Sequence, residues 1–393
     1  MRNWLIFVLC MMGGIFSLQA EEVKPDSVQI SLLTCEPGDE IYALFGHTAI
    51  RYENYTRKQD LVFNYGMFSF NTPNFVMRFL MGKTDYQLGV IPYHYFALEY
   101  AERGSDVYQQ VLNLTTEEKL ELVRLLDENY HPSNRTYRYN YFYDNCTTRA
   151  RDKIEECIRG KVVYEPTGKV RSYRDIIHEF TAGNEWDELG IDLCLGVEAD
   201  VPIDERKQMF APFYMLDAAR HATIVRGDSV VPFVLKEEKM ESIVLSDGKR
   251  RFPISKTMLF GGLLVVTLLL AWWSYKKGKV LWGWDILLFG AQGIGGCIIA
   301  FLFFFSVHPT VGSNWMLALF NPIPLLYLPV MVYKAIKRKK DFYHVVNVGY
   351  LTLFMILMPF IPQNFNITIV PLAGCLLVCS AGHLLLYYRK GFK

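Results

Sequence analysis

Apolar and polar positions divide the 393-residue chain into three unequal stretches. Residues 1–20 carry an apolar run from Trp4 to Phe16 behind Arg2, and end in Leu18-Gln19-Ala20 before Glu21-Glu22. That run is short for a membrane span and closes on a small residue, the pattern of a cleavable signal peptide. Residues 21–256 alternate short apolar segments with charged ones, as a soluble domain does. Residues 257–393 are dominated by five long apolar segments, at about 257–274, 283–306, 315–333, 343–361 and 367–388. Each is long enough, as a helix, to cross a hydrocarbon core of about 30 Å.

The basic residues between these segments alternate. The first connection holds Lys276, Lys277 and Lys279, the third holds Lys334, Lys337, Arg338, Lys339 and Lys340, and the tail holds Arg389, Lys390 and Lys393. The second and fourth connections, 307–314 and 362–366, hold no Lys or Arg. Positive charge marks the cytoplasmic side. The pattern therefore predicts a multi-pass inner-membrane protein with the soluble domain, His308 and Asn364 outside and the C-terminus in the cytoplasm. Lys249, Arg250 and Arg251 run against it just before the first span. A signal peptide that exports a long domain overrides such a cluster, which is placed to touch anionic headgroups.

Within the soluble stretch, Val28–Leu33 reads as a strand and Cys35–Asp39 as a Pro-Gly turn. Ile41–Phe45 and His47–Tyr52 read as strand on either side of Gly46, and Asp60–Tyr65 as a further strand. Phe68–Lys83 is expected to be helical, Asp106–Leu114 extended, and Thr115-x-x-Glu118 a capping box that opens a helix to about Asn129. Arg135–Tyr143 is tyrosine-rich and reads as extended. Asp144-Asn145 offers N-cap chemistry for a helix from Cys146 to Ile158, with Cys146, Ala150 and Ile154 on one face. Short strands and separated helices imply an α+β domain, followed by an all-α membrane domain.

Composition narrows the function. The formal net charge of +1 lacks the basic footprint of a nucleic-acid partner. No phosphate-binding glycine-rich loop is present, and no cofactor or metal is expected. Of the eight cysteines, Cys35, Cys146, Cys157 and Cys194 fall in the exported domain. Its compartment permits disulfides, but its size does not require them. Asp285 and His383 are ionisable groups inside apolar segments, without an evident partner.

Two local patterns carry chemistry. Phe45-Gly46-His47-Thr48-Ala49-Ile50 puts a histidine at the start of a strand, and Asp144-Asn145-Cys146-Thr147-Thr148 puts a cysteine at the start of a helix. A helix N-terminus favours thiolate, and its unpaired N–H groups can receive an oxyanion. Thiolate and imidazole together suffice for nucleophilic acyl transfer. Taken singly, each has a plain alternative: Cys146 as packing, His47 as an ordinary strand residue, Gly46 as a bulge, Asn145 as a cap.

These patterns, with the preceding Pro37-Gly38-Asp39, resemble the circularly permuted papain-like enzymes, the lecithin:retinol acyltransferase-like and NlpC/P60-related proteins in which histidine precedes cysteine. The likeness extends through Phe63-Asn64-Tyr65-Gly66-Met67-Phe68, Arg138-Tyr139-Asn140-Tyr141-Phe142-Tyr143-Asp144-Asn145-Cys146-Thr147-Thr148-Arg149, Gly190-Ile191-Asp192-Leu193 and the multi-span tail with His308-Pro309. Over nearly the whole chain the sequence is similar to the Bacteroides-type apolipoprotein N-acyltransferase family. The resemblance implies Cys146 as nucleophile, His47 as general base and acid, and Asn64 as the residue that orients the imidazole, with Asp60 as the alternative. It leaves Tyr143 and Asn145 as candidates for lining the site or its oxyanion hole, and His308 for a role at the membrane interface. It implies a phospholipid acyl donor and a diacylated lipoprotein acceptor. A papain-like cell-wall peptidase and a thiol phospholipase would use the same dyad. A transporter or sensor would need more ionisable groups in the spans.

Overall fold

The computed structural model describes residues 27–242 and 253–389. The expected signal segment and the Lys249–Arg251 cluster lie outside the described residues. Seven strands make one sheet: β1 (Val28–Cys35), β2 (His47–Asn54), β3 (Gln59–Met67), β4 (Asp85–Pro92), β5 (Val107–Leu112), β6 (Thr136–Arg138) and β7 (Val234–Met240). Their order is β7-β5-β1-β2-β3-β4-β6, and every neighbouring pair is antiparallel. The helices of the soluble domain used below are α1 (Phe75–Leu80), α2 (Tyr93–Glu102), α3 (Thr116–Tyr130), α4 (Cys146–Cys157), α5 (Tyr173–Thr181) and α6 (Glu185–Cys194).

Both faces of the sheet are covered, because successive strand residues point to opposite sides. Ile30, Leu32, Ile50 and Phe63 meet Leu122, Leu125 and Leu126 of α3 and Ala150 and Ile154 of α4. Leu33, Cys35, Ala49 and Val62 meet Phe96 and Tyr100 of α2. The Thr115–Glu118 capping box forms as expected: Glu118 N donates to Thr115 Oγ1 at 3.3 Å, and Thr115 N to Glu118 Oε2 at 2.9 Å.

Three expectations are corrected. Ile41–Phe45 is a series of turns, coiled back by Gly38 N→Ala43 O, Ala43 N→Glu40 O and Gly46 N→Ala43 O hydrogen bonds. Phe68–Lys83 is helical only over α1. Ser69 and Thr72 bond the local backbone, and Pro73 and a left-handed Asn74 (φ 56°) separate this stretch from the helix. Arg135–Tyr143 is a strand only over β6. Beyond it Asn140 and Asp144 exchange backbone hydrogen bonds, and Asn140 Oδ1 accepts from Phe142 N and Tyr143 N. All seven cysteines among the described residues are free, so the disulfide that the compartment permits is not made.

Among the described residues, five helices are long and apolar enough to cross a membrane: Lys256–Lys277, Trp282–Phe305, Met316–Ile336, Phe342–Phe360 and Ile369–Tyr388. The third is interrupted between Leu319 and Ile323, around Pro322. Asp285 and His383, left without partners by the sequence, pair with each other. Asp285 Oδ2 is 2.9 Å from His383 Nε2, its Oδ1 accepts from Cys379 Sγ at 2.9 Å, and His344 stacks on His383 with ring centroids 3.8 Å apart. A carboxylate this deeply buried between apolar helices needs such donors.

The soluble domain rests on one end of the bundle, held by the two uncharged connections and by the start of the first span, where buried Lys256 pairs with Glu188 at 2.6 Å. Thr310 O accepts from Gly196 N at 3.1 Å, and Asn314 Nδ2 donates to Leu193 O at 2.8 Å. Gln363 Nε2 donates to Leu195 O at 3.2 Å. A Cβ on Gly196 would lie 2.6 Å from Thr310 O, so only glycine allows the backbones this close. Behind the seam, fully buried Arg174 on α5 grips Asp192 (2.7 Å) and Asp200 (2.8 Å), and the same two carboxylates take Asn366 Nδ2 (2.9 Å) and Asn364 Nδ2 (2.8 Å). Arg389 meanwhile bonds the carbonyls of Tyr275 and Lys276, at the far end of the bundle.

Two predictions follow from this seam and from the charge alternation. Reporter fusions after residues 278 and 338 and at the C-terminus are expected to read cytoplasm, and fusions near 310 and 364 periplasm; a periplasmic C-terminus contradicts the five-span topology. Arg174→Ala leaves Asp200 buried without its cation and Asp192 with only His178, 2.9 Å from its carboxylate, a loss of about 3–5 kcal/mol. Chemical denaturation in detergent is expected to show it as an early loosening of the soluble domain from the bundle.

Candidate active site

The site lies where the N-terminus of α4 meets the edges of β2 and β3. Asn145 is why the helix starts there. Its side-chain Oδ1 accepts from Thr147 N and Thr148 N, both at 2.9 Å, and Thr148 Oγ1 accepts from Asn145 N at 2.8 Å. Its Nδ2 donates to Tyr141 O and Phe210 O, both at 2.9 Å. Both donors of the amide are thus engaged with carbonyls. Asn145 positions Cys146 and has no donor left for an oxyanion.

His47 reaches the same spot from the first position of β2. Gly46, in front of it, has φ +78°, and a Cβ there would lie 2.5 Å from Cys35 O. Glycine is therefore required to turn the chain into the strand at this point. Gly66 on β3 is the second such position, with φ +89° and room for the helix start: a Cβ on it would sit 3.7 Å from Cys146 Cβ. Thr48 Oγ1 and Thr147 Oγ1 tie strand to helix at 3.0 Å.

Asn64, on the adjacent strand β3, has its Oδ1 2.6 Å from His47 Nε2. An amide oxygen can only accept, so Nε2 carries the proton and Nδ1 is left for the Cys146 thiol, with which the imidazole is hydrogen-bonded. Asp60, the alternative orienter, is occupied elsewhere: its two oxygens take Arg51 Nε (2.9 Å) and Nη2 (2.8 Å). Burial pushes the Cys146 thiol up, but the facing His47 charge, its hydrogen bond and the Thr48 backbone N–H outweigh this and leave the thiol below its ordinary range. Burial pushes His47 down, while the Cys146 charge and the bonds to Cys146 and Asn64 carry it above an ordinary imidazole. The two groups titrate as a unit, and each shift is in the direction of its charged form.

Tyr143 is exposed, its ring edge-on to Tyr173. His308 is in the second connection and touches the soluble domain through Phe79 O, 2.6 Å from its Nε2. The sequence did not single out Tyr141. Its hydroxyl is buried without a hydrogen-bond partner, and burial first, then the nearby Cys146 charge, push its pKa well up. The signal available for it was the tyrosine repeat at 137, 139, 141 and 143, of which Tyr137 and Tyr139 also feel the Cys146 charge and Tyr137 likewise has a buried hydroxyl without a partner. Cys35 lies opposite His47 in the sheet register, buried and hydrogen-bonded with Tyr100, and burial pushes its thiol well up.

These shifts fix a pH dependence. With the thiol lowered and the imidazole raised, turnover is expected to rise with pH below the range of an ordinary thiol and to fall with pH above the range of an ordinary imidazole. Asn64→Ala removes a bond that raises His47, so the alkaline limb moves to lower pH; an unmoved limb removes Asn64 from this role. Asn145→Ala loses the cap, worth about 1–2 kcal/mol, as well as two carbonyl clamps. Thermal melts are expected to show a clear loss, with slower alkylation of Cys146 in the fraction that remains folded.

Residues 17–178 match the Lnb N-terminal periplasmic domain, and residues 249–391 match the Lnb transmembrane domain. No curated protein and no solved structure matches the chain. The two matches fall in the expected order and take in His47, Asn64, Cys146 and all five spans. The chain is accordingly a multi-pass membrane protein with an N-terminal periplasmic domain, and it belongs to the Lnb family.

Proposed function

We propose that this protein is a lipoprotein N-acyltransferase. The observation that carries the reading is the Cys146–His47–Asn64 constellation, a thiol at a helix N-terminus facing an imidazole of fixed tautomer, in a domain hydrogen-bonded to a membrane bundle. Histidine ahead of cysteine in the chain, on a sheet that receives the cysteine's helix, fits a circularly permuted papain-like domain. The C-terminus is then cytoplasmic and the site faces the periplasm beside the outer leaflet of the inner membrane.

The chemistry is a two-step exchange. The Cys146 thiolate attacks the carbonyl carbon of a phospholipid ester. The ester C–O bond breaks, the lysophospholipid oxygen takes the proton from His47, and the acyl group stays as a thioester on Sγ. The α-amino group of a diacylglyceryl-modified N-terminal cysteine then attacks the thioester, gives up a proton to His47, and leaves as an amide while the thiolate is restored. The thioester conserves the acyl energy, so no nucleotide is needed. For the tetrahedral oxyanion, the Cys146 backbone N–H has no intrahelical acceptor, and the unpartnered Tyr141 hydroxyl supplies the second donor.

The test is an acceptor experiment on the purified full chain with phospholipid. A diacylated lipopeptide with a free N-terminus is expected to yield an N-acyl product, and the same lipopeptide acetylated at its N-terminus none. Free fatty acid as the sole product, whatever the acceptor, makes the protein a thiol phospholipase; cleavage of peptidoglycan fragments without lipid products makes it a peptidase. Tyr141→Phe is expected to lower turnover by about 10²–10³-fold, as the loss of one oxyanion donor does, with the fold retained. A silent substitution removes the hydroxyl from the oxyanion hole.

A further inference from the structure

The segment between β3 and β4 has a composition that water does not favour. α1, Phe75–Leu80, is Phe-Val-Met-Arg-Phe-Leu and buries none of its residues. Phe70, Val76, Met77 and Phe79 are 66%, 69%, 48% and 47% exposed. The one charged residue of the helix, Arg78, is drawn to the protein side by Asp85 at 2.6 Å. An apolar patch of this kind marks a surface that is covered in use.

Its position says by what. The end of the segment is in backbone contact with the end of the second span: Val307 N donates to Met81 O at 3.0 Å, two residues beyond the last helical residue, Phe305. His308 Nε2 holds Phe79 O at 2.6 Å, and a Cβ on Gly82 would lie 2.9 Å from His308 N. Phe304 and Phe305, on the span itself, are exposed in the same way. The apolar face of α1 is therefore continuous with the lipid-facing surface of the bundle, at the level where the span ends.

Rings connect this face to the site. Tyr139, close enough to feel the Cys146 charge, stacks on Tyr86 at 4.2 Å. Tyr86 meets Phe68 at 5.0 Å, Phe68 meets Phe75 at 5.6 Å, Phe75 meets Phe79 at 6.0 Å, and Phe79 meets His308 at 5.8 Å. The run is an unbroken aromatic wall from Tyr139, with Tyr86 buried within it, to the end of the second span.

We propose that the segment from Phe68 to Met81 lies in the plane of the membrane, its apolar side chains inserted in the outer-facing leaflet, and that its aromatic wall is the surface along which a lipid acyl chain reaches Cys146. The insertion stands on exposure and on contact with the span alone. The route rests on the acyl-transfer reading. Short amphipathic segments bind at this depth by burying aromatic and aliphatic side chains among the acyl chains.

The experiment places an environment-sensitive fluorescent amino acid at Val76 in the full chain, in nanodiscs, with Tyr55 as control. Tyr55 is also exposed but sits on the turn between β2 and β3. The label at 76 is expected to emit blue-shifted and to be quenched by brominated phospholipid, and the label at 55 to do neither. Equal quenching at the two positions, or none at 76, overturns the insertion. For the route, V76E is expected to slow transfer of acyl chains from phospholipid vesicles onto Cys146 at least 10-fold while iodoacetamide alkylates Cys146 at the wild-type rate. Unchanged acyl transfer in V76E overturns the route and leaves the insertion to the fluorescence. A wild-type protein that never takes an acyl chain overturns the acyl-transfer reading instead, and the quenching result still decides the insertion.

Discussion

Taking a thiolate and an imidazolium out of water costs several kcal/mol per ion, and their mutual attraction offsets this only if the geometry is good and the remaining hydrogen-bonding positions are filled. Around Cys146 and His47 those conditions are met by backbone and by short polar side chains. The Thr48 N–H points at the thiol, Asn64 fixes the far nitrogen of the imidazole, and Asn145 pins the helix start to carbonyls on two other segments. Gly46 is where a side chain would have blocked the approach of strand to strand, and Gly66 is where a positive φ beside the helix start favours glycine. The sheet behind them is covered on both faces, so neither strand edge nor helix end can shift without disturbing a packed core.

The second constraint is where this pair sits relative to the bundle. The seam is made of hydrogen bonds to backbone carbonyls, of the Lys256–Glu188 pair, and of one buried arginine that holds two aspartates, and those aspartates in turn hold the fourth connection. Such contacts fix the orientation of the domain and add little apolar burial. They suit a domain that must present its site at a set height above the spans. The aromatic wall from Tyr139 to Phe79 occupies the distance between the site and that height.

Much of this was legible in the sequence where a local rule acts alone. The Thr115–Glu118 box, the cap at Asn145 and the five spans are each set by a few residues, and each formed as read. The segments that misled are those in which apolar residues serve something other than the core. Ile41 and Tyr42 look like strand residues and are exposed in turns; Phe68–Phe79 looks like a long helix because its apolar residues face outward along a wall that Pro73 and Asn74 keep irregular. β4 and α2 carry weak periodicity and take their form from β3 and from the α2 face of the core. At the site, residue types and order pointed to His47 and Cys146, and the family resemblance to Asn64, with Asp60 as its alternative. They did not reveal that both amide donors of Asn145 are used up, that Asp60 belongs to Arg51, or that Tyr141, like Tyr137, carries a buried hydroxyl without a partner. The pairing of Asp285 with Cys379 and His383 joins two helices 94 and 98 residues apart in sequence, which no local pattern shows.

The central claim is that Cys146 carries an acyl group taken from a membrane lipid. Its most direct test is the intact mass of the purified full chain after incubation with a phospholipid whose acyl chains are deuterated, followed by peptide mapping. The account predicts one deuterated acyl adduct on Cys146, released by hydroxylamine and absent in Cys146→Ala. An adduct that persists in Cys146→Ala, or a wild-type protein that remains unmodified while its lipid is turned over, contradicts it.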